Sequence, residues 1–329
     1  MSAQYAALFR YSLKISENSG LPKERKSTHQ SGVNPRTLLL PILIVASLVA
    51  TAEPVFRKKE MKLDPRLPAH ITEASGAAVS AVDNGFLWVV NDSGGSNEIH
   101  LIESNGTSRG SVKVKGAKNT DWEDLSGFSL GGENFLLIAD TGDNSGKRDF
   151  CTLYIVREPT LPTNGKPLND EISLAWKIDF SWEGGPKDCE AVAIDAVRKN
   201  ILLVSKRTSP PEVHELPLRP VNKKTVTKRI GTTRVIAPHL SFIKYGNQPT
   251  GMDISTDGNR AVLVTYYGLF VFDRKKEEEW SEVFAKKSLQ PRAHGLAQAE
   301  SVALSHDGQL IFTLSEGKKE RILILEEKN

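Results

Sequence analysis

The sequence predicts an all-β protein, a β-propeller of five four-stranded blades closed by a strand from near the start of the mature chain. Three observations predict it. Five segments repeat the same order of a small-and-apolar run, a turn and a strongly apolar run. The turns carry Asp-Gly, Gly-Gly and Asn chemistry suited to tight hairpins. No stretch keeps an apolar 3.6-residue period for three turns, which argues against helical repeats.

The first strands read SGAAVS (75–80), EDLSGF (123–128), EAVAID (190–195), TGMDIS (250–255) and ESVALS (300–305). Turns follow at Asp83-Asn84-Gly85, Gly131-Gly132, Arg198-Lys199-Asn200, Asp257-Gly258 and Asp307-Gly308. The second strands are FLWVV (86–90), FLLIA (135–139), ILLVS (201–205), AVLVT (261–265) and LIFTL (310–314), all strongly apolar. Third strands fall at 98–103, 152–158, 212–218, 269–273 and 321–326. More polar outer strands are expected at 111–115, 172–180, 226–235 and 280–284, as suits an edge. The fifth repeat ends after its third strand, and residues 54–63 are expected to supply the missing one and close the ring. A six-blade count stays open, because 160–170 and 236–248 are long enough to hold irregular structure.

Upstream of the repeats, residues 37–52 (TLLLPILIVASLVATA) are uncharged, follow Arg36 and end in Ala-x-Ala at Ala50 and Ala52. That is the pattern of a signal-peptide core cleaved before Glu53, and it is short for a membrane span. Residues 1–36 are polar and longer than a usual basic leader, as an over-long gene start would give; a start at Val33 leaves a compact signal. The alternative is an uncleaved membrane anchor. The expected organisation is therefore an extension (1–36), a signal core (37–52) and one propeller domain (53–329), exported to the periplasm or beyond as a monomer.

The whole chain of 329 residues has 43 Lys and Arg against 40 Asp and Glu. Six of those basic residues but only two of the acids lie in 1–52, so the mature part is nearly neutral. Nothing in that balance points to nucleic acid. The local basic run Lys223, Lys224, Lys228 and Arg229 reads as a solvated strand face. Cys151 and Cys189 form no metal pattern, and they are expected to stay unbonded.

First strands of a propeller line its channel, so equivalent positions form a ring around the axis. Aligned on their small-apolar runs, the repeats place Ser75, Glu123, Glu190, Thr250 and Glu300 in that ring, all carrying oxygen. Three carboxylates converging in a narrow channel need protons or a cation, and oxygen-only donors favour Ca²⁺ over Zn²⁺. The alternative is that these glutamates simply begin strands and face solvent.

Further polar groups follow the second strands: Asn91, Asp92, Asp140, Asp143, Asn144, Lys206, Arg207, Tyr266 and Glu316. Loops entering the first strands add Asp121, Trp122, Asp188, Gln248 and His294 on the same side. Such a funnel suits a small ligand, with Asp92, Asp140 or His294 as candidate acid-base groups and Asn91, Asp121, Trp122, Asp143, Asn144, Lys206, Arg207, Tyr266 and Glu316 as ligand contacts. For Asn91, Asp92 and the 140–144 loop, turn stabilisation is an equal reading.

The elements FLWVVNDSG, NTDWEDLSGF, LLIADTGDNSGKRDFCTLYIVREP, KDCEAVAID, TGMDIS and AESVALS resemble a group of secreted bacterial propellers related to phytase-like and esterase-like ones. The resemblance spans nearly all of the mature chain and implies no agreed reaction. The ring alone is similar to that of calcium-activated nucleotidases (apyrases), five-bladed propellers whose axial Ca²⁺ is held by Ser, Glu, Glu, Ser and Glu. Here Thr250 stands at the second Ser position.

Two functions compete. One is a calcium-stabilised exported module that binds a small molecule, glycan or protein partner in its funnel. The other is a Ca²⁺-dependent hydrolase of a nucleotide or other phosphoester, with Lys206, Arg207 or His294 on the phosphate. A lactonase-type reading fits less well, because its ring calls for Asn and Asp. No nucleophile elbow, P-loop or dinucleotide fingerprint is present.

Overall fold

A computed structural model describes residues 55–59, 61, 64–163, 165–220, 225–235, 247–286, 288 and 293–328. The expected extension and signal core, together with Lys223 and Lys224, lie outside these residues.

The described chain is almost entirely β, as the repeats predict. Unit one comprises β2 (Ala74–Val79), β3 (Phe86–Asn91), β4 (Glu98–Glu103) and β5 (Ser108–Lys115). Unit two comprises β6 (Trp122–Leu130), β7 (Glu133–Asp140), β8 (Cys151–Arg157) and β9 (Leu168–Ser181). Unit three follows with β10 (Cys189–Asp195), β11 (Asn200–Ser205), β12 (Glu212–Pro217), the short β13 (Thr225–Val226) and β14 (Lys228–Thr232). Unit four has β15 (Pro249–Ile254), β16 (Arg260–Thr265) and β17 (Leu269–Asp273), and unit five β18 (Ala299–Leu304), β19 (Leu310–Ser315) and β20 (Ile322–Lys328). Within every unit, successive long strands pair antiparallel.

The ring closes as expected. Strand β1 (Val55–Lys58) pairs antiparallel with β20, so the start of the propeller supplies the outer strand of its last unit. Five apolar layers hold the units together, each filled by side chains from two neighbouring sheets. The period of two along a strand makes this work. In β3, Leu87 and Val89 pack towards unit five while Trp88 and Val90 pack towards unit two. This is why the second strands read as unbroken apolar runs.

Two outer edges depart from expectation. Residues 280–284 form no strand: α1 (Trp280–Ala285) lies there instead, burying Trp280, Val283 and Phe284. Their i, i+3, i+4 spacing makes one helical face, and the Glu282 carboxylate accepts the Glu279 N–H at 3.2 Å to cap the first turn. The repeat calls for a more polar outer strand at this position, and that expectation passed over the helical spacing. The outer strand expected at 226–235 is divided between β13 and β14. At the other edge, β9 is long enough to pair twice. Its first part runs parallel to β5 and joins units one and two, and its later part pairs with β8.

Cys151 and Cys189 are free, buried thiols in the layer between units two and three. Among the described residues no helix is long and apolar enough to cross a membrane.

Candidate metal centre

Each first strand carries a β-bulge, and in all five the extra residue is the ring position read from the sequence. The register jumps across Ser75, Glu123, Glu190, Thr250 and Glu300. A bulge bends the strand and re-aims the extra side chain, so the same local device turns five oxygen-bearing residues at the strand entries. Close packing of the inner strands requires small residues beside them. A Cβ on Gly76 would fall 2.4 Å from the Leu125 nitrogen.

The five do not act alike. The Ser75 hydroxyl donates to the Trp122 carbonyl at 2.8 Å, and the Thr250 hydroxyl to the Ala299 carbonyl at 2.7 Å. Both therefore staple one inner strand to the next. Glu190 is ion-paired with Lys206, whose ammonium also donates to the Tyr266 hydroxyl at 3.1 Å. Glu300 lies near Glu316, which takes a hydrogen bond from Gln298. Glu123 is 5% exposed and accepts no hydrogen bond among the described residues.

Two acid groups form around Glu123. Its carboxylate lies within 4.8 Å of those of Asp92 and Asp121, and likewise of those of Asp188 and Glu190. These groups could hold a metal ion. They come from the entries and exits of units one to three, so the acids gather on one side of the mouth and not evenly round the axis.

The loop after β7 builds the wall. Gly142 lies so close to the carboxylates that a Cβ there would fall 2.2 Å from Glu123 Oε1 and 2.4 Å from Asp121 Oδ2. Asp143 accepts the N–H groups of Lys147 (2.9 Å) and Arg148 (2.8 Å), and its own N–H donates to Asp188 Oδ1 at 2.9 Å. Arg207 donates to Asp188 Oδ2 at 2.6 Å and to Asn144. Asp143 and Asn144 thus shape the loop and position Asp188 and Arg207.

Burial is the first cause of the proton affinities here. It pushes Asp121 up to about 6, with help from the charges of Asp92 and Asp188. It lifts Glu123 well above the usual range, with Glu190 adding repulsion. Glu190 rises to about 7 through burial, held back by Lys206, and Glu300 to about 8 through burial and the Glu316 charge. Burial disfavours the Lys206 ammonium, but Glu190 outweighs it and the amine is held above its ordinary value.

Several expected site residues have other roles. Trp122 is fully buried in the layer between units one and two, where its indole N–H donates to the Lys118 carbonyl at 3.0 Å. It does not line the funnel, because the side chains of a sheet alternate and Trp122 falls on the packed face. Asn91 turns to the backbone, accepting the Glu73 N–H at 3.2 Å. Asp140 is paired with Arg148 at 2.8 Å. His294 Nε2 donates to the Thr265 carbonyl (2.9 Å) and its Nδ1 accepts the Leu296 N–H (3.1 Å), and burial lowers its pKa. Neither Asp140 nor His294 is a free base.

Three residues have roles that the sequence did not give them, and of these only Asp188 was expected at the mouth. Asp188 belongs to an acid group, and the signal was present: Asp-x-Glu occurs at 121–123 and again at 188–190. Asp124 and Asp253, fully buried below the mouth, accept backbone N–H groups of other inner strands. Their places in the first strands are not equivalent in the repeats, so alignment hides them.

No family model and no curated protein matches the chain. Among solved structures, hydrazine synthase of Kuenenia stuttgartiensis is similar at 12% identity and a TM-score of 0.40, covering 77% of this chain and 71% of that one. A likeness at that level assigns no chemistry.

Proposed function

We propose that the chain is an exported β-propeller that binds a divalent cation, Ca²⁺, in its acidic mouth, and that the cation braces a funnel for a small ligand or partner. The observation that carries this reading is Glu123, a buried carboxylate with no hydrogen-bond donor among the described residues, set between two further pairs of carboxylates. Burying an ionised carboxylate without a partner is costly, so the group takes a proton or a cation. An all-oxygen donor set with water free to complete it matches a hard cation. Export rests on the apolar stretch at 37–52.

Binding is favoured over hydrolysis because Asp140 and His294 are already committed to Arg148 and to backbone groups, and Asp92, the third candidate base, is drawn into the acid group that would hold the cation. A hydrolase needs an available base beside the metal. The test is phosphate release from a panel of nucleotides and phosphoesters by purified protein in Ca²⁺ and in EDTA. The binding reading expects none above background in either. Release that appears only with Ca²⁺ would favour the hydrolase instead.

A further inference from the structure

Resting on that cation reading, we infer that the cation sits off the propeller axis, in the bay of Asp92, Asp121 and Glu123 between units one and two, and that the axial ring is not its ligand set. The two acid groups sharing Glu123 differ in what neutralises them. In the second, Arg207 donates to Asp188 at 2.6 Å and Lys206 is paired with Glu190, so each of those carboxylates already has a protein cation. In the first, no basic side chain contacts Asp92, Asp121 or Glu123 among the described residues. Arg148, whose charge reaches Asp121, is spent on Asp140 and on the Gly142 carbonyl, each at 2.8 Å.

The axial alternative is less well gathered. Glu190 is held by Lys206, and among the described residues Glu300 belongs to neither group of carboxylates whose oxygens lie within 4.8 Å of one another. The bay has what a cation needs. Glu123 is aimed into it without a hydrogen-bond partner among the described residues, and Asp92 and Asp121 are only half-buried, leaving one side open to water. The Gly142 backbone closes on the Glu123 and Asp121 oxygens, where any side chain would displace them. Three carboxylates with waters completing the shell fit a hard divalent ion.

The placement is tested by calorimetric Ca²⁺ titration of the full chain at neutral pH. Asp121→Asn and Asp92→Asn, each close to isosteric and each checked for a native circular dichroism spectrum, should weaken binding by about thirtyfold or more, while Glu300→Gln and Thr250→Val change it less than about threefold. Two aspartate variants guard against one failing to fold. If Glu300→Gln or Thr250→Val abolishes binding while both aspartate variants keep it, the ion is axial and the placement is overturned, with the cation reading intact. If the unaltered protein binds no Ca²⁺, both fall.

Discussion

The Asp124 carboxylate on β6 accepts the backbone N–H of Val192 on β10 at 2.8 Å, and the same oxygen takes the Met252 N–H of β15 at 3.2 Å. One buried side chain thus satisfies donors on the unpaired inner edges of two other units. Asp253 does the same for Leu304 at 2.8 Å. Inner strands have no further strand to pair with, and buried N–H groups left orphaned would each cost about 1–3 kcal/mol.

Asp124→Ala should therefore lower stability by roughly 3–5 kcal/mol, since it orphans several donors at once. For a domain of this size that corresponds to a fall in melting temperature of roughly 6–20 °C. Differential scanning calorimetry reads it directly. A change under about 1 kcal/mol would show that water replaces the carboxylate.

The pH dependence follows from the raised carboxyl groups. Asp121 at about 6, Asp253 and Glu190 at about 7 and Glu300 at about 8 all bind protons more tightly folded than unfolded. Below about pH 4 both states are protonated and the difference vanishes. From about pH 4 towards 8 the unfolded chain ionises freely while the folded protein must keep its protons or carry charge in a buried site, so stability falls. In EDTA the unfolding midpoint should be higher at pH 5 than at pH 8, and Ca²⁺ should lift the pH 8 midpoint more than the pH 5 one. A midpoint that rises with pH in EDTA contradicts the assignment.

Gly142→Ala tests the wall of the bay. The added methyl would meet the Glu123 and Asp121 oxygens at 2.2 and 2.4 Å, and only displacement of a carboxylate relieves it. The variant should fold but bind Ca²⁺ about tenfold or more weakly. Unchanged affinity in the calorimeter would show that those oxygens are not ligands.

Lys206→Met probes the neutralised group. The Lys206 side chain is 4% exposed and Glu190 is buried beside it, so removing the ammonium leaves an unpaired carboxylate and should cost roughly 3–5 kcal/mol. Lys206→Met with Glu190→Gln should recover most of the loss in a double-mutant cycle of urea unfolding. Additive losses would mean that the pair is not coupled.

The repeats made the fold legible because each blade reuses one pattern of buried alternation and tight turns. The closing strand at Val55–Lys58 was legible too, from the missing partner of β20. Helix α1 was misread because six residues with Trp280, Val283 and Phe284 buried look alike as an edge strand or a short helix. The ring positions coincide with the bulges because alignment on the small residues is alignment on the strand entries. What alignment could not show is which ring member would be spent locally. Nothing in the residue types of Ser75 and Thr250 reveals that their hydroxyls reach a neighbour's carbonyl. His294 and Trp122 misled for a related reason, since both sit beside the mouth in sequence and turn into the packed layers in space. Asp188 needed only the repeated Asp-x-Glu at 121–123 and 188–190 to be read as part of a second acid pair at the mouth.

The most direct test of the cation site is thermal unfolding of the protein and of Glu123→Gln at pH 7.5 in EDTA and across a Ca²⁺ titration. The site described here predicts that Ca²⁺ raises the melting temperature of the unaltered protein in a saturable way. It also predicts that Glu123→Gln, which removes the charge without the shape, melts higher than the unaltered protein in EDTA and gains little from Ca²⁺. Equal, small responses of the two proteins to Ca²⁺ would contradict it, leaving Glu123 as a carboxyl group held neutral by its own buried proton.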